Sequence, residues 1–148
     1  VRPNMAVAIG LDYSPLDRRQ RKGILDVVTR ELLTPKGLRT LSPKSFGYRP
    51  FYLGSPEERE MALHNGPARP WLFGFYADAY LRVFGHGGVG YIDRMLIGYE
   101  DEMSNGCIGS LSQLYDGNPP FGGRGAISHA TNVAGILRTI TTLKKFTI

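Results

Sequence analysis

The residues best suited to chemistry lie in one polar, glycine-rich stretch, Asn105 to Arg124, reading NGCIGSLSQLYDGNPPFGGR. Gln113, Tyr115 and Asp116 precede the turn formers Gly117, Asn118, Pro119 and Pro120, and Arg124 closes the stretch. Most connections between packed elements take a handful of residues, so a loop this long is either functional or disordered. Its prolines fix φ and its glycines allow sharp reversals, which makes it stiff and folded back on itself. A stiffened loop carrying an aromatic ring, a carboxylate and a guanidinium suits a binding rim better than a tether. A second group is His64-Asn65-Gly66-Pro67, followed by Trp71, the one tryptophan. A tryptophan in this setting is more often core than ligand platform, but at the first turn of a helix it can present its face to a ligand.

The elements that must hold these residues read as helices. Residues 3–11 predict a short buried helix, 16–33 a long one and 56–63 a short one. Residues 70–84 are apolar nearly all round, which predicts a buried helix. Residues 90–103 predict an amphipathic outer helix, and 128–146 a last helix ending on Lys144 and Lys145, as the macrodipole favours. Arg18, Arg19, Arg21 and Lys22 crowd the first half of the long helix and read as a solvated outer face. Strand signals are poor, so the fold class is all-α, with about five main helices and two long functional loops in a single domain over 1–148. The tight joins fall between helices one and two and between three and four, counting the five main ones. The long connections lead into helices three and five. Antiparallel neighbours alternate direction, so both long loops and the start of the chain should meet at one rim of a partial α/α toroid. That rim would gather Arg2, Asn4, His64, Asn65, Trp71, Tyr115, Asp116, Arg124 and His129.

Composition narrows the function classes. The chain has 148 residues, 42% hydrophobic and 21% charged, which fits one ordered domain with a real core. No apolar run approaches the length needed to span a bilayer, so no membrane association is expected. The single cysteine, Cys107, excludes an internal disulfide framework and suits a reducing, cytoplasmic setting. The three histidines lack metal-ligand spacing and no cysteine pair is present, so no metal or cofactor is expected. GHGGVG, at 85–90, follows a helix instead of a strand, which argues against a nucleotide site, and there is no nucleophile elbow. A net charge of +5 allows nucleic-acid binding. The basic cluster has no interleaved aromatics for base stacking, so no nucleic-acid partner is expected.

Four motifs occur in order: RPN near the start, ELLTPKGLRTLSP over 31–43, HNGPARPWLFG over 64–74 and SLSQLYDGNPPFGGRGAIS over 110–128. In this combination, which covers essentially the whole chain, the sequence resembles glycogen debranching enzymes, specifically the C-terminal part of their amylo-α-1,6-glucosidase domain. The resemblance implies part of an (α/α)6 barrel, glycogen or a branched α-glucan as partner, and hydrolysis of α-1,6-linked glucose at branch points. It adds Arg39, in the second motif, to the rim residues as substrate-binding.

The departures from the family bear on catalysis. The family has a Ser-Glu pair in the loop, then an aromatic and Asp-Gly-Asp-Pro-Pro; here Gln113 stands at the glutamate and Asn118 at the second aspartate. Arg69 stands where the family has the first tryptophan of its Thr-Val-Trp-Pro-Trp run, Leu63 replaces a preceding tyrosine, and His129-Ala130-Thr131 replaces Gln-Ala-Trp. Glycoside hydrolysis needs two carboxylates, one to protonate the leaving oxygen and one to activate water. The catalytic positions would be Gln113, whose neutral amide cannot serve as base, and Asp116, which could serve only if the loop presents it. The family's general acid lies upstream of this region, so the chain alone is not expected to hydrolyse glucans. A non-catalytic glucan-binding or scaffold remnant of the family is the alternative. Val1 opens the chain in place of a methionine, which reads as a cut through a longer protein. Inner helices without their neighbours would leave an apolar flank, so the missing part of the barrel or a second copy in a homo-oligomer is the expected cover.

Overall fold

A computed structural model describes residues 1–147. Six α-helices carry the chain: α1 Asn4–Gly10, α2 Arg18–Leu32, α3 Pro56–Ala62, α4 Trp71–Phe84, α5 Val89–Glu102 and α6 Ala130–Thr147. A 3-10 turn, Gly85–Gly88, joins α4 to α5. Local chemistry sets the starts of α2 and α3. Asp17 accepts from Gln20 N while Gln20 reaches back to Asp17 N, and Ser55 and Glu58 repeat the arrangement. Each exchange satisfies amides that the first turn leaves without partners.

Helix α4 is the hub, with α1, α2 and α6 all packed on it. Eight of its fourteen residues are buried, so it must be apolar on nearly every side. Its contact with α6 runs backbone to backbone: a Cβ added at Gly135 would lie 2.5 Å from Trp71 Cα, and one at Gly74 would lie 3.0 Å from Gly135 O. Only glycine permits that approach. It seats the start of α4 directly against α6.

The all-α expectation needs one correction. Five short strands, β1 Leu33–Thr34, β2 Gly37–Arg39, β3 Ala68–Arg69, β4 Leu114–Tyr115 and β5 Gly123–Arg124, form an antiparallel sheet in that order. Strands of two or three residues are too short to show the alternation that marks a strand in sequence. The sheet nonetheless organises the molecule. Leu38 pairs with Arg69 and Ala68 with Tyr115, so the two long irregular stretches are joined through β3.

The basic cluster of α2 also divides. Arg18, Arg19 and Lys22 are exposed, as a solvated face requires, but Arg21 is half-buried. Its guanidinium donates to the carbonyls of Ile9 (3.1 Å), Ser14 (3.2 Å) and Leu16 (2.9 Å), clamping the turn between α1 and α2. Five donors in a rigid fork let one arginine cap several orphaned carbonyls. Among the described residues, no helix is long and apolar enough to cross a membrane, and no group of three metal-ligating side chains gathers in one place.

Candidate functional site

The long loop is a closed hairpin. Leu114 pairs with Arg124 and Tyr115 with Gly123, and the chain reverses through a cis Pro119–Pro120 bond. This register sets Arg124 beside Asp116. The guanidinium donates to both carboxylate oxygens, from Nε at 3.1 Å to each and from Nη2 to Oδ2 at 2.8 Å, while Asp116 N donates to Gly122 O at 2.9 Å. Asp116 is 0% exposed. Beside that carboxylate, the Arg124 guanidinium is held above its ordinary value. The forked guanidinium and the buried carboxylate thus form a close ion pair within the hairpin.

Gln113 is similarly engaged. Its main-chain N donates to Ala126 O at 2.8 Å, and its side-chain Oε1 accepts from Ala126 N at 3.1 Å. Tyr115 is buried, with its hydroxyl accepting from Ser112 N at 3.1 Å; burial pushes the phenol up to about 12. Outside the hairpin, Arg39 donates from Nε to Gly117 O at 2.7 Å, and Tyr48 donates to Asn118 Oδ1 at 2.9 Å. Arg39 therefore holds the hairpin turn through its backbone.

One residue that the sequence reading passed over joins this hairpin to the helices. Asn132 is completely buried on α6. Its Nδ2 donates to Ser112 O (2.6 Å) and Gln113 O (2.9 Å), while its Oδ1 accepts from Trp71 N (3.2 Å). A single amide thus spans the loop, the first turn of α4 and α6. The signal was in the sequence: the buried stripe of α6 is Asn132, Ile136, Thr139 and Leu143, and a polar residue on such a stripe must find partners.

Across Trp71 from that amide lies a cavity of about 420 Å³, lined by Arg2, Pro3, Asn4, Val7, Thr40, His64, Arg69, Trp71 and Leu72. Arg2 is fixed in its wall, donating from Nη1 to His64 O (2.6 Å) and Thr40 O (3.2 Å) and from Nη2 to Asn65 Oδ1 (3.0 Å). Thr40 binds the same wall together, donating to Pro67 O and accepting from Gly66 N. Arg69 donates from Nη2 to Leu63 O at 3.0 Å, and its Nε is buried without a partner among the described residues. Burial pushes the Arg69 guanidinium below its ordinary value. The cavity has an aromatic face, three cationic or imidazole side chains and an amide, and no carboxylate.

The sequence model of the family described as amylo-alpha-1,6-glucosidase matches residues 1–138. This chain belongs to that family. It is also similar to the glycogen debranching enzyme of Saccharomyces cerevisiae, with 29% identity over 92 residues. That match takes in 58% of this chain and 6% of the yeast protein, so the chain spans a small part of its relative's length.

Within this member of the amylo-alpha-1,6-glucosidase family, the candidate residues separate into two sets. Arg2, Asn4, His64 and Trp71 share the cavity. Asn65 touches it only through Arg2, and its Nδ2 donates to Met61 O at the end of α3. Gln113, Tyr115, Asp116 and Arg124 lie in the hairpin, which Arg39 braces. His129 stands at the start of α6, where its main-chain N donates to Leu111 O and its Nδ1 is sealed without a partner among the described residues. Thr40 and Arg69 complete the cavity and were not among the sequence candidates. No spacing rule marks a threonine whose value lies in bonding the distant backbone of Gly66 and Pro67.

Proposed function

We propose that this chain forms part of the sugar-facing rim of an amylo-α-1,6-glucosidase built as an (α/α)6 toroid. In this reading it binds branched α-glucan and carries no complete acid–base pair of its own. The observation behind it is the state of the loop's polar residues: Asp116 is sealed under Arg124, and the neutral Gln113 amide accepts from Ala126 N through its oxygen. Hydrolysis at a branch point needs an acid and a base on opposite sides of the glycosidic carbon. Neither hairpin residue is placed to act, so both carboxylates would come from outside this chain. The cavity supports the binding half of the reading, since Trp71 offers a ring for a sugar face while Asn4 and His64 offer hydrogen-bonding groups at its edge. The groove between α5 and α6, lined by Ile97 and Ile140, is the apolar flank that the rest of the barrel would cover.

A stand-alone glucan-binding remnant would use the same surface, and the Gln113–Ala126 contact suits it equally well. Electrophoresis through gels containing glycogen, together with a glucose-release assay on a branched dextrin, tests the reading. The expected result is retardation by glycogen, weakened in Trp71→Phe, with no glucose released. Glucose release that disappears in Asp116→Asn would overturn the non-catalytic part, and unretarded migration would overturn the binding part.

A further inference from the structure

The cavity is unusual in its charge. Arg2 and Arg69 both line it, no carboxylate does, and among the described residues neither arginine forms an ion pair. Elsewhere the chain gives its packed guanidiniums either a carboxylate, as Arg82 with Asp12, Arg124 with Asp116 and Arg138 with Asp78, or a set of backbone carbonyls, as Arg21 and Arg39. Arg2 is exposed and spends its guanidinium on Thr40 O, His64 O and Asn65 Oδ1, whereas Arg69 is half-buried, makes one hydrogen bond from Nη2 among the described residues and has its Nε sealed without a partner. A cation withdrawn from water without a counter-charge is costly, and sugar hydroxyls cannot neutralise it. An anion can, and two guanidiniums are the usual means of gripping a phosphate. The remaining lining suits a sugar ring: Trp71 provides an aromatic face, in a volume typical of small-molecule sites.

We propose that this cavity takes a glucosyl unit bearing a phosphate monoester, with Arg2 and Arg69 on the phosphate and Trp71 on the sugar ring. The sugar half rests on the rim reading above; the phosphate half rests on the uncompensated charge. A phosphate ester on a glucan chain and a free sugar phosphate share this chemistry.

Trp71 is the one tryptophan, so fluorescence excited at the red edge, where tyrosine does not absorb, reports on the ring that lines this cavity. The chain is titrated in low salt with glucose, maltose, glucose 6-phosphate, a phosphorylated maltodextrin and inorganic phosphate. Glucose 6-phosphate should shift the emission at a concentration roughly tenfold below that of glucose, as charged hydrogen bonds outweigh neutral ones. That gain should shrink with added salt and disappear in Arg69→Gln, while Arg69→Lys should keep part of it. Circular dichroism checks that the variants fold, and Arg2→Gln provides an independent loss of charge should Arg69→Gln fail. A response at lower concentration to the phosphorylated maltodextrin assigns the ester to a glucan chain, and the reverse assigns it to a free sugar. Equal responses to glucose and glucose 6-phosphate would overturn the phosphate site while leaving the rim reading intact. Inorganic phosphate matching glucose 6-phosphate would overturn the sugar half. If glucose 6-phosphate acts while glucose and maltose are silent, the phosphate site stands and the neutral-glucan rim falls. Silence from every ligand overturns both.

Discussion

The hairpin and the cavity are built from similar residues and use them in opposite ways. In the hairpin, Arg124 is committed to Asp116, Gln113 to Ala126 and Tyr115 to Ser112, so each polar side chain answers another group of the chain. In the cavity, Arg69 keeps a buried Nε unmatched among the described residues and Trp71 lines the open volume. Saturated polar groups hold a fold, and unsaturated ones are what a ligand can complete. The most chemically suggestive stretch of a sequence can thus have its polar groups met from within the fold, while open polar groups stand beside it.

The comparison can be tested first at the residue shared by both regions. Asn132→Ala strips partners from Trp71 N, Ser112 O and Gln113 O together and should cost about 3–4 kcal/mol, read as a lower urea midpoint at unchanged slope. A loss under 1 kcal/mol would mean that loop and helices hold each other without it. Asp116→Asn acts on the hairpin alone. Removing one member of a buried pair is severe, but Arg124 is 34% exposed and can be rehydrated, so about 2 kcal/mol is expected, with glycogen retardation unchanged. Weaker retardation in this variant would break the division of labour between the two regions.

Trp71→Phe acts on the cavity and, more weakly, on the core that Trp71 shares with Phe75. Glucan affinity should fall roughly threefold as stacking area is lost, with a modest drop in the urea midpoint. The smallest effect is on pH. Burial holds the Tyr115 phenol at about 12 in the folded chain against an ordinary 10. A folded value above the unfolded one stabilises fully below pH 10, and that contribution is lost as the pH climbs towards 12. Tyr115→Phe should therefore make the alkaline fall in stability shallower over that window. An identical pH profile would show the phenol to be better hydrated than its setting implies.

Much of this molecule could be read without coordinates. The spacing of apolar residues placed the five main helices to within two residues at nearly every end, because a helix repeats its burial signal over several turns. The ordered motifs carried the family. Tertiary structure decided what no local pattern could. Two-residue strands join loops far apart in sequence: Ala68 pairs with Tyr115 although α4 and α5 lie between them in the chain. Whether Asp116 faces solvent or Arg124 depends on hairpin register, and an aspartate has the same sequence signature in either case. Thr40, Arg69 and Asn132 matter through the partners that surround them. Periodicity lies along the chain and can be counted, whereas the satisfaction of a buried charge or amide belongs to a neighbourhood that exists only in the folded state.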